Sequence, residues 1–574
     1  MKIRPFFSVI SLLSVLCAEP LAAEPDLILH HGKIATVDKT FSVRQAIAIR
    51  GHRIEQAGSN EEILKLKGPR TELLDLDGKL VLPGLIDSHV HPAAALTEFD
   101  HPIPDMETIP QILDYIQSRA AVLSEGAWIQ VRQVFITRLR EQRYPTRAEL
   151  DHVAPKHPVV FATGPDASLN TLALRLSGID RNFKIIDGGP GYIEKDAQGE
   201  PTGILRSCTR YIKAKESGRQ PSESDHYQRT LQLFRDYNSV GLTTVADRNA
   251  SLDAIERYQK MLRHGDLTVR LALSQAIATL GPLEKIQESI RDVAKSPLCQ
   301  GDEMLRIIGI KTFLDGGMLT GSAYLREPWG VSDIYAITDP AYRGVLFIPK
   351  ERLLPMVRTA VESGLQFTAH SVGDGAVHAL LAVYEEINRH MPVKKTRPCI
   401  THSNFMSREA VDKLAQLGVV VDIQPAWLYL DTRTLVKQFG YERLRYFQPL
   451  RSIFESGGIA GGGSDHMQKI GSLRSINPYN PFLGIWVAIT RQAKWHEGKL
   501  HPEEALTREQ AIRFYTANNA YLLFKEDHIG SLEPGKLADF IVLNTDLLAC
   551  PVDEIKNAQV LKTFLNGKLV FSRE

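Results

Sequence analysis

Cysteine is scarce in this chain, with five residues among 574, far apart and in no C-x-x-C pair. Beyond the first 23 residues the chain keeps only Cys208, Cys299, Cys399 and Cys550. This spacing excludes a zinc ribbon, a thioredoxin-type redox motif and a disulfide scaffold. If the protein holds a metal, we expect histidine and carboxylate ligands rather than thiolates.

An excess of one charge is also missing. The chain has 68 basic and 67 acidic residues, a net charge of +1, and no block rich in lysine and arginine. Nucleic-acid binding depends on neutralising many phosphates, so we expect no nucleic acid among the partners. The composition favours a defined pocket for a small-molecule substrate. It leaves open whether the chain forms a homodimer.

Long apolar runs are absent beyond the N-terminus, where no segment approaches the roughly 18 apolar residues of a membrane helix. The N-terminus, MKIRPFFSVISLLSVLCAEPLAAEPD, places Lys2 and Arg4 before a short apolar stretch that ends near Ala22 and Ala23. This order is typical of a secretory signal peptide. We predict that residues 1–23 are removed, leaving a periplasmic or secreted protein with no stable membrane insertion. An uncleaved anchor is the alternative, and Leu21 makes the exact cleavage site uncertain.

Short alternating segments that end in turns occur at both ends of the mature chain. Residues 24–82 contain LILHHGKIATV and AIAIRGHRIEQAG, and residues 526–574 contain ADFIVL and VLKTFLNGKLVFSRE. Gly32, Gly51, Gly78 and Gly567 follow the residues predicted to turn. These are β-hairpin signals. They predict one small β-sandwich built from both termini.

Residues 83–525 alternate apolar runs with amphipathic helical patterns. Eight runs read as buried parallel strands: GLIDSHVH, GLTTVAD, TVRLALS, RIIGIKTFLDG, QFTAHSVGD, PCITHSN, VVVDIQP and GIAGGGSDH. This alternation predicts an α/β fold, a (β/α)8 TIM-like barrel. The weakly patterned segment at about 96–232 reads as an insertion after the first strand. An open doubly wound sheet is the rival, but no G-x-G-x-x-G follows an early strand.

Five potential ligands stand at the ends of the predicted strands. His89 and His91 end the first run, His370 and His402 end two later runs, and Asp465 follows the last. Functional residues of a parallel barrel lie at the carboxyl ends of its strands, so we expect these side chains to converge. Imidazole and carboxylate ligands without cysteine suit Zn²⁺ or a similar divalent ion in an open site.

Lys311 is a basic residue within the otherwise apolar run RIIGIKTFLDG, where an unpaired ammonium is costly to bury. One interpretation is a salt bridge to a neighbouring acid such as Asp315. The other is a lysine carboxylated at Nζ, which would act as an anionic ligand between two ions. Spacing alone slightly favours the salt bridge.

The motifs PGLIDSHVH, IKTFLDG, TAHSVGDGAV, GGGSD and NPFLGIWVAITRQ, in this order, resemble those of the amidohydrolase superfamily. Over nearly the whole mature chain the sequence is similar to its amidohydrolase family 3 subgroup, which includes the N-substituted formamide deformylases. The resemblance implies that His89 and His91 bind one metal and that His370 and His402 bind another. It also implies that carboxylated Lys311 bridges the two and that Asp465 is both a ligand and a proton shuttle.

The loops around this predicted site depart from the subgroup pattern in DGGMLTGSAYL, in GDGAV and in the residue after Asp465. These departures concern the pocket rather than the metal chemistry. We name six candidate substrate contacts in or near these loops, for which ordinary packing is the competing interpretation: Tyr324, Arg326, Trp329, Gln424, Trp427 and His466.

The predicted activity is metal-dependent hydrolysis of an amide or another C–N bond in a small molecule, of the N-substituted formamide or N-acyl type. In this reaction Asp465 takes a proton from the attacking water and passes it to the leaving nitrogen. A deaminase, a cyclic-amide or lactone hydrolase and an isomerase would use the same barrel. A secreted binding or regulatory protein without catalysis is the remaining alternative.

Overall fold

A computed structural model of the chain describes residues 24–132, 134–335 and 337–573. The predicted signal peptide at 1–23 therefore lies outside the described residues. No helix in the described ranges combines the length and the apolar character needed to cross a membrane.

Eight parallel strands form one sheet. From the first to the eighth, each strand pairs with the strand that follows it in the chain. Each of the eight apolar runs noted in the sequence supplies one strand, so the barrel prediction is confirmed. The strands are Leu85–Val90, Leu242–Ala250, Arg270–Ala276, Leu305–Phe313, Gln366–Ser371, Cys399–His402, Val420–Ile423 and Ile459–Gly462.

The barrel closes between its first strand and the segment that follows its eighth. Asp465 donates its backbone N–H to the carbonyl of His89 over 2.8 Å, and His91 donates to the carbonyl of His466 over 2.8 Å. Helices surround the sheet: Glu223–Ser239, Leu252–His264, Leu283–Ala294, Lys350–Glu362, Asp374–Asn388, Arg408–Leu417, Pro425–Phe439, Leu450–Glu455, Pro481–Thr490, Arg508–Phe514 and Ala517–Leu522. Their apolar faces and the strands form one large core.

Both termini contribute to a β-sandwich beside the barrel, as the sequence predicts. One sheet contains Arg53–Gly58, Ala46–Arg50, Leu27–His30 and Glu72–Asp75, with the short helix Asn60–Leu64 beside it. The other contains Lys568–Ser572, Val560–Leu565, Phe540–Leu543, Leu80–Pro83, Lys33–Ala35 and Val43–Arg44. Asn566 and Gly567 link two of these strands with φ of 54° and 72°, the left-handed pair that a tight hairpin requires.

The chain between the first two barrel strands forms a five-stranded sheet that the sequence did not predict. Its strands, in sheet order, are Tyr192–Lys195, Pro201–Arg206, Asp166–Leu169, Val159–Thr163 and Ile129–Val131. The segment also contains the helices Pro92–Ala95, Ile109–Val122, Arg147–Val153 and Thr171–Ser177 and the 3₁₀ turns Ile136–Arg138 and Thr209–Tyr211. We call these five strands the insertion sheet.

Candidate metal centre

The six predicted metal ligands lie at the carboxyl end of the barrel. Each ligand lies within or just past the last residues of its strand. The first, fourth, fifth and sixth strands contain His89, Lys311, His370 and His402. His91 directly follows the first strand, and Asp465 comes three residues after the end of the eighth. Their meeting follows from the fold, because the carboxyl ends of all eight parallel strands share one edge.

His89, His91 and Asp465 form a compact, largely buried cluster. The Nε2 atoms of the two histidines lie 3.1 Å apart, and Asp465 Oδ1 lies 3.4 Å from His89 Nε2 and 3.0 Å from His91 Nε2. Two ligands of one tetrahedral zinc ion, each about 2.0 to 2.1 Å from it, lie roughly 3.3 Å apart. Asp465 Oδ1 is buried and accepts no hydrogen bond from the described residues. These three side chains therefore fit a divalent ion.

His370 and His402 lie beside this cluster. Their ring centroids are 4.5 Å apart, and the His402 ring is 4.8 Å from that of His89. His402 adopts a left-handed backbone conformation with φ of 75°, which is uncommon for a residue other than glycine. Such conformations concentrate at functional sites, where the surrounding structure holds them in place.

Lys311 is fully buried, and its Nζ has no hydrogen-bond partner among the described residues. Those residues offer no salt bridge between Lys311 and Asp315, whose carboxylate instead accepts the backbone N–H groups of Tyr324, Val372 and Gly373 over 2.9 to 3.0 Å. Burial lowers the pKa of Lys311 to about 8. At neutral pH the lysine therefore has an appreciable neutral fraction, which an ordinary lysine lacks.

Acceptors behind the histidines hold two of the rings in place. His89 Nδ1 donates to Asp422 Oδ1 over 3.1 Å, and His402 Nδ1 donates to Gln424 Oε1 over 2.8 Å. Both contacts leave the Nε2 atom free to face the metal cluster. The buried Arg248 lies 3.4 Å from the second oxygen of Asp422 and donates to the carbonyl of Ser88 over 2.9 Å.

Asp465 is held by a buried chain of hydrogen bonds that reaches the insertion. Its φ of 55° is left-handed, and Asn477 Nδ2 donates to its carbonyl over 2.6 Å. Arg138 donates to Asn477 Oδ1 over 2.9 Å and pairs with Asp431 over 3.1 Å. Residues of one loop, one 3₁₀ turn and one helix thus support an unfavourable backbone conformation at a predicted ligand.

Burial shifts the pKa values of three histidine ligands in the direction that metal binding needs. It lowers the pKa of His370 to about 3 and lowers those of His89 and His402 well below their usual value. The neutral imidazole is the form that binds a metal. Burial raises the pKa of Asp465, an effect that a cation beside the carboxylate would oppose.

A cavity of about 300 Å³ opens over His91, His370, His402 and Asp465. The remainder of its lining is mainly apolar, with Phe135, Phe313, Leu319, Phe347, Trp427 and Met467. No lysine or arginine of the described ranges lines this cavity. We call it the inner cavity.

Of the six candidate substrate contacts, Trp427 lines the inner cavity and stacks on the His402 ring, with 4.7 Å between centroids. Gln424 is buried behind His402. The other four do not line the cavity. Tyr324 packs on Gly375 and Arg326 contacts His378.

Two of these candidates are fully buried. Trp329 donates its Nε1–H to the carbonyl of Ala323 over 2.8 Å, and His466 is bonded to the Tyr237 hydroxyl and the Lys469 carbonyl. Their contact with substrate stays a prediction, and ordinary packing accounts for their present surroundings.

Sequence reasoning did not assign roles to Asp422, Asn477, Arg138 and Arg248. Asp422 offered a signal, because a carboxylate in the apolar run VVVDIQP is as unusual as Lys311 in its own strand. Arg248 follows the run GLTTVAD in the same way. Asn477 and Arg138 lie in loops without a comparable pattern.

A second group of similar composition lies on the β-sandwich. His30 Nδ1 is 3.1 Å from His31 Nδ1, which is 3.0 Å from Asp75 Oδ2. The side chains of His31 and Asp75 are 53% and 58% exposed. We call this group the sandwich cluster; solvent reaches His31 and Asp75, whereas His30 is buried.

The model of the amidohydrolase family matches residues 72–571. The chain is 28% identical to an N-substituted formamide deformylase of Arthrobacter pascens, over 96% of this chain and 98% of that protein. It is 27% identical to the protein LONG AFTER FAR-RED 3 of Arabidopsis thaliana, over 96% and 92% of the two chains.

The fold is similar to the crystal structure of an uncharacterized metal-dependent hydrolase from Pyrococcus furiosus. The TM-score is 0.63 at 21% identity, over 91% of this chain and 100% of that one. The resemblance noted in the sequence is thereby confirmed. The chain belongs to the amidohydrolase family, and it is a metal-dependent hydrolase that acts on carbon–nitrogen bonds.

Proposed function

We propose that the protein hydrolyses a small uncharged amide, an N-substituted formamide or another N-acyl amine, at a zinc site formed by the predicted ligands. The observation that carries this proposal is the cluster of His89, His91 and Asp465, whose free carboxylate oxygen is buried beside an apolar cavity. The similarity to a formamide deformylase over nearly the full length supports the formamide class.

In this proposal His89, His91 and Asp465 Oδ1 would hold one ion, and His370 and His402 would hold a second. The nitrogen and oxygen donor set, without cysteine, suits zinc. When bound, the metal supplies Lewis acidity, which lowers the pKa of water and polarises the substrate carbonyl.

We further propose that Lys311 is carboxylated. Its neutral amine attacks the carbon of CO₂, an N–C bond forms as one C=O π bond opens, and the nitrogen gives one proton to water, which leaves an anionic carbamate. Support comes from the pKa of about 8, lowered by burial, and from an Nζ that lacks any described partner. The added negative charge would offset part of the positive charge of two divalent ions, to which Asp465 alone brings one negative charge.

Asp465 would carry the proton during hydrolysis. Its Oδ1 faces the two imidazoles, which leaves Oδ2, 3.5 Å from Asn477 Nδ2, to accept a proton as water attacks the carbonyl carbon. The same oxygen then returns the proton to the nitrogen as the C–N bond breaks, giving a carboxylic acid and an amine. The bond from Asn477 to the Asp465 carbonyl keeps the carboxylate at the reacting atoms.

The lining of the inner cavity favours an uncharged substrate. A carboxylate-bearing substrate, such as an N-acyl amino acid, needs a cationic or hydrogen-bonding partner when it loses water. The described lining of the inner cavity has no lysine or arginine, and Phe135, Phe313, Leu319 and Phe347 outnumber its two threonines. Apolar groups on either side of the scissile bond would fit this surface.

We also propose that the enzyme acts outside the cytoplasm, after removal of residues 1–23. Lys2, Arg4 and the apolar stretch before Ala22 support export. In the same proposal 24–82 and 526–574 form the sandwich domain and 83–525 the catalytic domain.

The test is a hydrolysis screen on one preparation whose metal content is measured by mass spectrometry. The panel contains neutral N-alkylformamides, N-acyl amino acids, cyclic amides and lactones. We expect zinc in the purified protein and release of amine from the neutral formamides. Asp465→Asn should abolish release, whereas Asp114→Asn, at an exposed carboxylate on the helix Ile109–Val122, should not.

A protein that binds no divalent metal and stays inert after zinc or manganese is added would overturn the hydrolase mechanism proposed at this site. Preferential turnover of a cyclic amide or lactone, release of ammonia, or isomerisation would replace the amide assignment. Full activity in Asp465→Asn with metal bound would exclude the proton-transfer role alone.

A further inference from the structure

A second cavity, of about 420 Å³, adjoins the inner cavity. The two share Phe135, Gly164 and Met467 in their linings. We call the second one the outer cavity. Because the shared residues border both spaces, a ligand seated over the metal ligands can extend into the outer cavity past Met467. Methionine is a flexible side chain that adapts to such a contact.

The insertion sheet provides the floor of the outer cavity. Val160 and Ala162 lie two residues apart on the strand Val159–Thr163, so both side chains face the same side of the sheet. Ile212 and Ala214 extend this apolar surface, and the four pack in one hydrophobic cluster. An apolar portion of a ligand would bury its surface here.

Polar side chains border this floor. Gln130, Arg132, Thr209 and Gln468 line the outer cavity together with the apolar residues, and the Arg132 guanidinium pairs with Glu216 over 3.1 Å, which compensates its charge. The Oε1 atom of Gln468 is buried and accepts no hydrogen bond from the described residues. A buried carbonyl oxygen without a donor is unfavourable, so a ligand N–H or O–H that reached it would gain a hydrogen bond.

Gln468 is firmly positioned for this role. Its Nε2 donates to the carbonyl of Arg132 on the insertion side, and its backbone N–H donates to the carbonyl of Ala94 over 3.1 Å. The next residue, Lys469, is buried and pairs with Asp105 over 2.8 Å. The segment that follows Asp465 is therefore attached to the insertion, and it forms one wall of both cavities.

From these contacts we propose that the outer cavity binds the part of the substrate remote from the scissile bond. This part is an uncharged, elongated group with an apolar body and a hydrogen-bond donor for Gln468 Oε1. The inference rests on the proposed amide hydrolysis and narrows it to extended amides whose length spans both cavities. The volume of the two spaces matches that of sites for drug-sized ligands.

The experiment compares three formamides that share the same reacting group: N-ethylformamide, N-octylformamide and an N-octylformamide that ends in a primary amide. For the wild-type protein we expect kcat/KM to rise at least about tenfold from the ethyl to the octyl compound. We expect a further rise of about threefold for the compound with the terminal amide, which can donate to Gln468.

Two substitutions narrow the outer cavity without touching a predicted metal ligand. Ala162→Trp should lower kcat/KM for both octyl compounds by about tenfold through KM and leave the ethyl compound within twofold. Thr209→Phe, at the rim, is a second variant for the case that Ala162→Trp fails to fold. Ala549→Trp is the size-matched control, at an exposed position in the C-terminal part of the chain and outside the outer cavity. It should leave the ratios of kcat/KM among the three compounds unchanged.

Gln468→Met tests the hydrogen bond separately. It should remove the preference for the terminal amide and leave the preference for the octyl over the ethyl chain. Equal kcat/KM for short and long compounds in the wild type, or equal losses for both in Ala162→Trp, would overturn the outer-cavity assignment.

Binding distinguishes this inference from the proposed reaction. If no formamide is hydrolysed, calorimetric titration of the same three compounds still compares their affinities. Stronger binding of the octyl compounds that Ala162→Trp removes would support the outer cavity while the proposed reaction fails. Equal affinities would overturn the outer-cavity assignment as well.

Discussion

His89, His91 and Asp465, which we call the barrel cluster, are the same kinds of side chain as those of the sandwich cluster. Both groups contain two histidines and an aspartate at nearly the same distances of 3.0 to 3.4 Å. They differ in burial. The side chains of His89 and Asp465 are 0% and 4% exposed, whereas those of His31 and Asp75 are more than half exposed. Water can solvate the sandwich cluster at no cost, but the buried oxygen of the barrel cluster needs another partner.

The two clusters also differ in what supports them. Behind His89 stands Asp422, and behind Asp465 stand Asn477 and Arg138, all of them buried. The sandwich cluster rests on a left-handed His31 at a turn, with φ of 55°. Proximity of ligand atoms is thus a weak indicator of a metal site, and burial with oriented support is a stronger one.

The largest expected effect separates the clusters by metal content. His89→Ala should remove most of the bound divalent metal and lower kcat/KM at least about 1,000-fold, because an interaction needed in the transition state is lost. His31→Asn should leave both the metal content and kcat/KM unchanged, since asparagine tolerates the left-handed backbone of that position. Mass spectrometry of metal content and hydrolysis rates on the same samples measure this contrast. Equal metal loss in the two variants would contradict it.

Much of the barrel cluster could be predicted from the sequence because strand periodicity is local. Alternation by two residues places His89 and His91 on one side of the chain, and the parallel barrel brings the ends of distant strands together. For Lys311 the local signal was a charge in an apolar strand. The same reasoning found all eight strands of the sheet.

The supporting contacts could not be predicted in this way. Asp422 meets His89 across 333 residues and Asn477 meets Arg138 across 339, and neither pair belongs to a repeating pattern. The insertion sheet was missed because its strands are only three to six residues long and alternate weakly. The positions of Trp329 and His466 depend on loop conformations that have no periodic signature.

We expect an intermediate loss of metal affinity when a residue that orients a ligand of the barrel cluster is changed. Asp422→Ala removes the acceptor that orients His89 and leaves all six predicted ligands in place. We expect zinc affinity to fall by about 10- to 100-fold, the usual range for such partners. Competition with a chelator measures the affinity directly, without reference to turnover.

The matched control is Asp412→Ala, which removes a half-buried carboxylate from the surface helix Arg408–Leu417. It should leave the zinc affinity unchanged. If Asp422→Ala bound zinc as tightly as the wild type, the orienting role of Asp422 would be excluded, and burial alone would have to explain the difference between the clusters.

The smallest effect concerns the sandwich cluster itself. Since His31 and Asp75 are already solvated, His31→Asn should shift the unfolding temperature by less than about 2 °C. Added zinc should raise the unfolding temperature of the wild type and of His31→Asn equally, because a ligand stabilises the folded state only through the sites it occupies. An extra rise in the wild type that His31→Asn abolishes would instead make the sandwich cluster a metal site, and exposure would no longer separate the two groups.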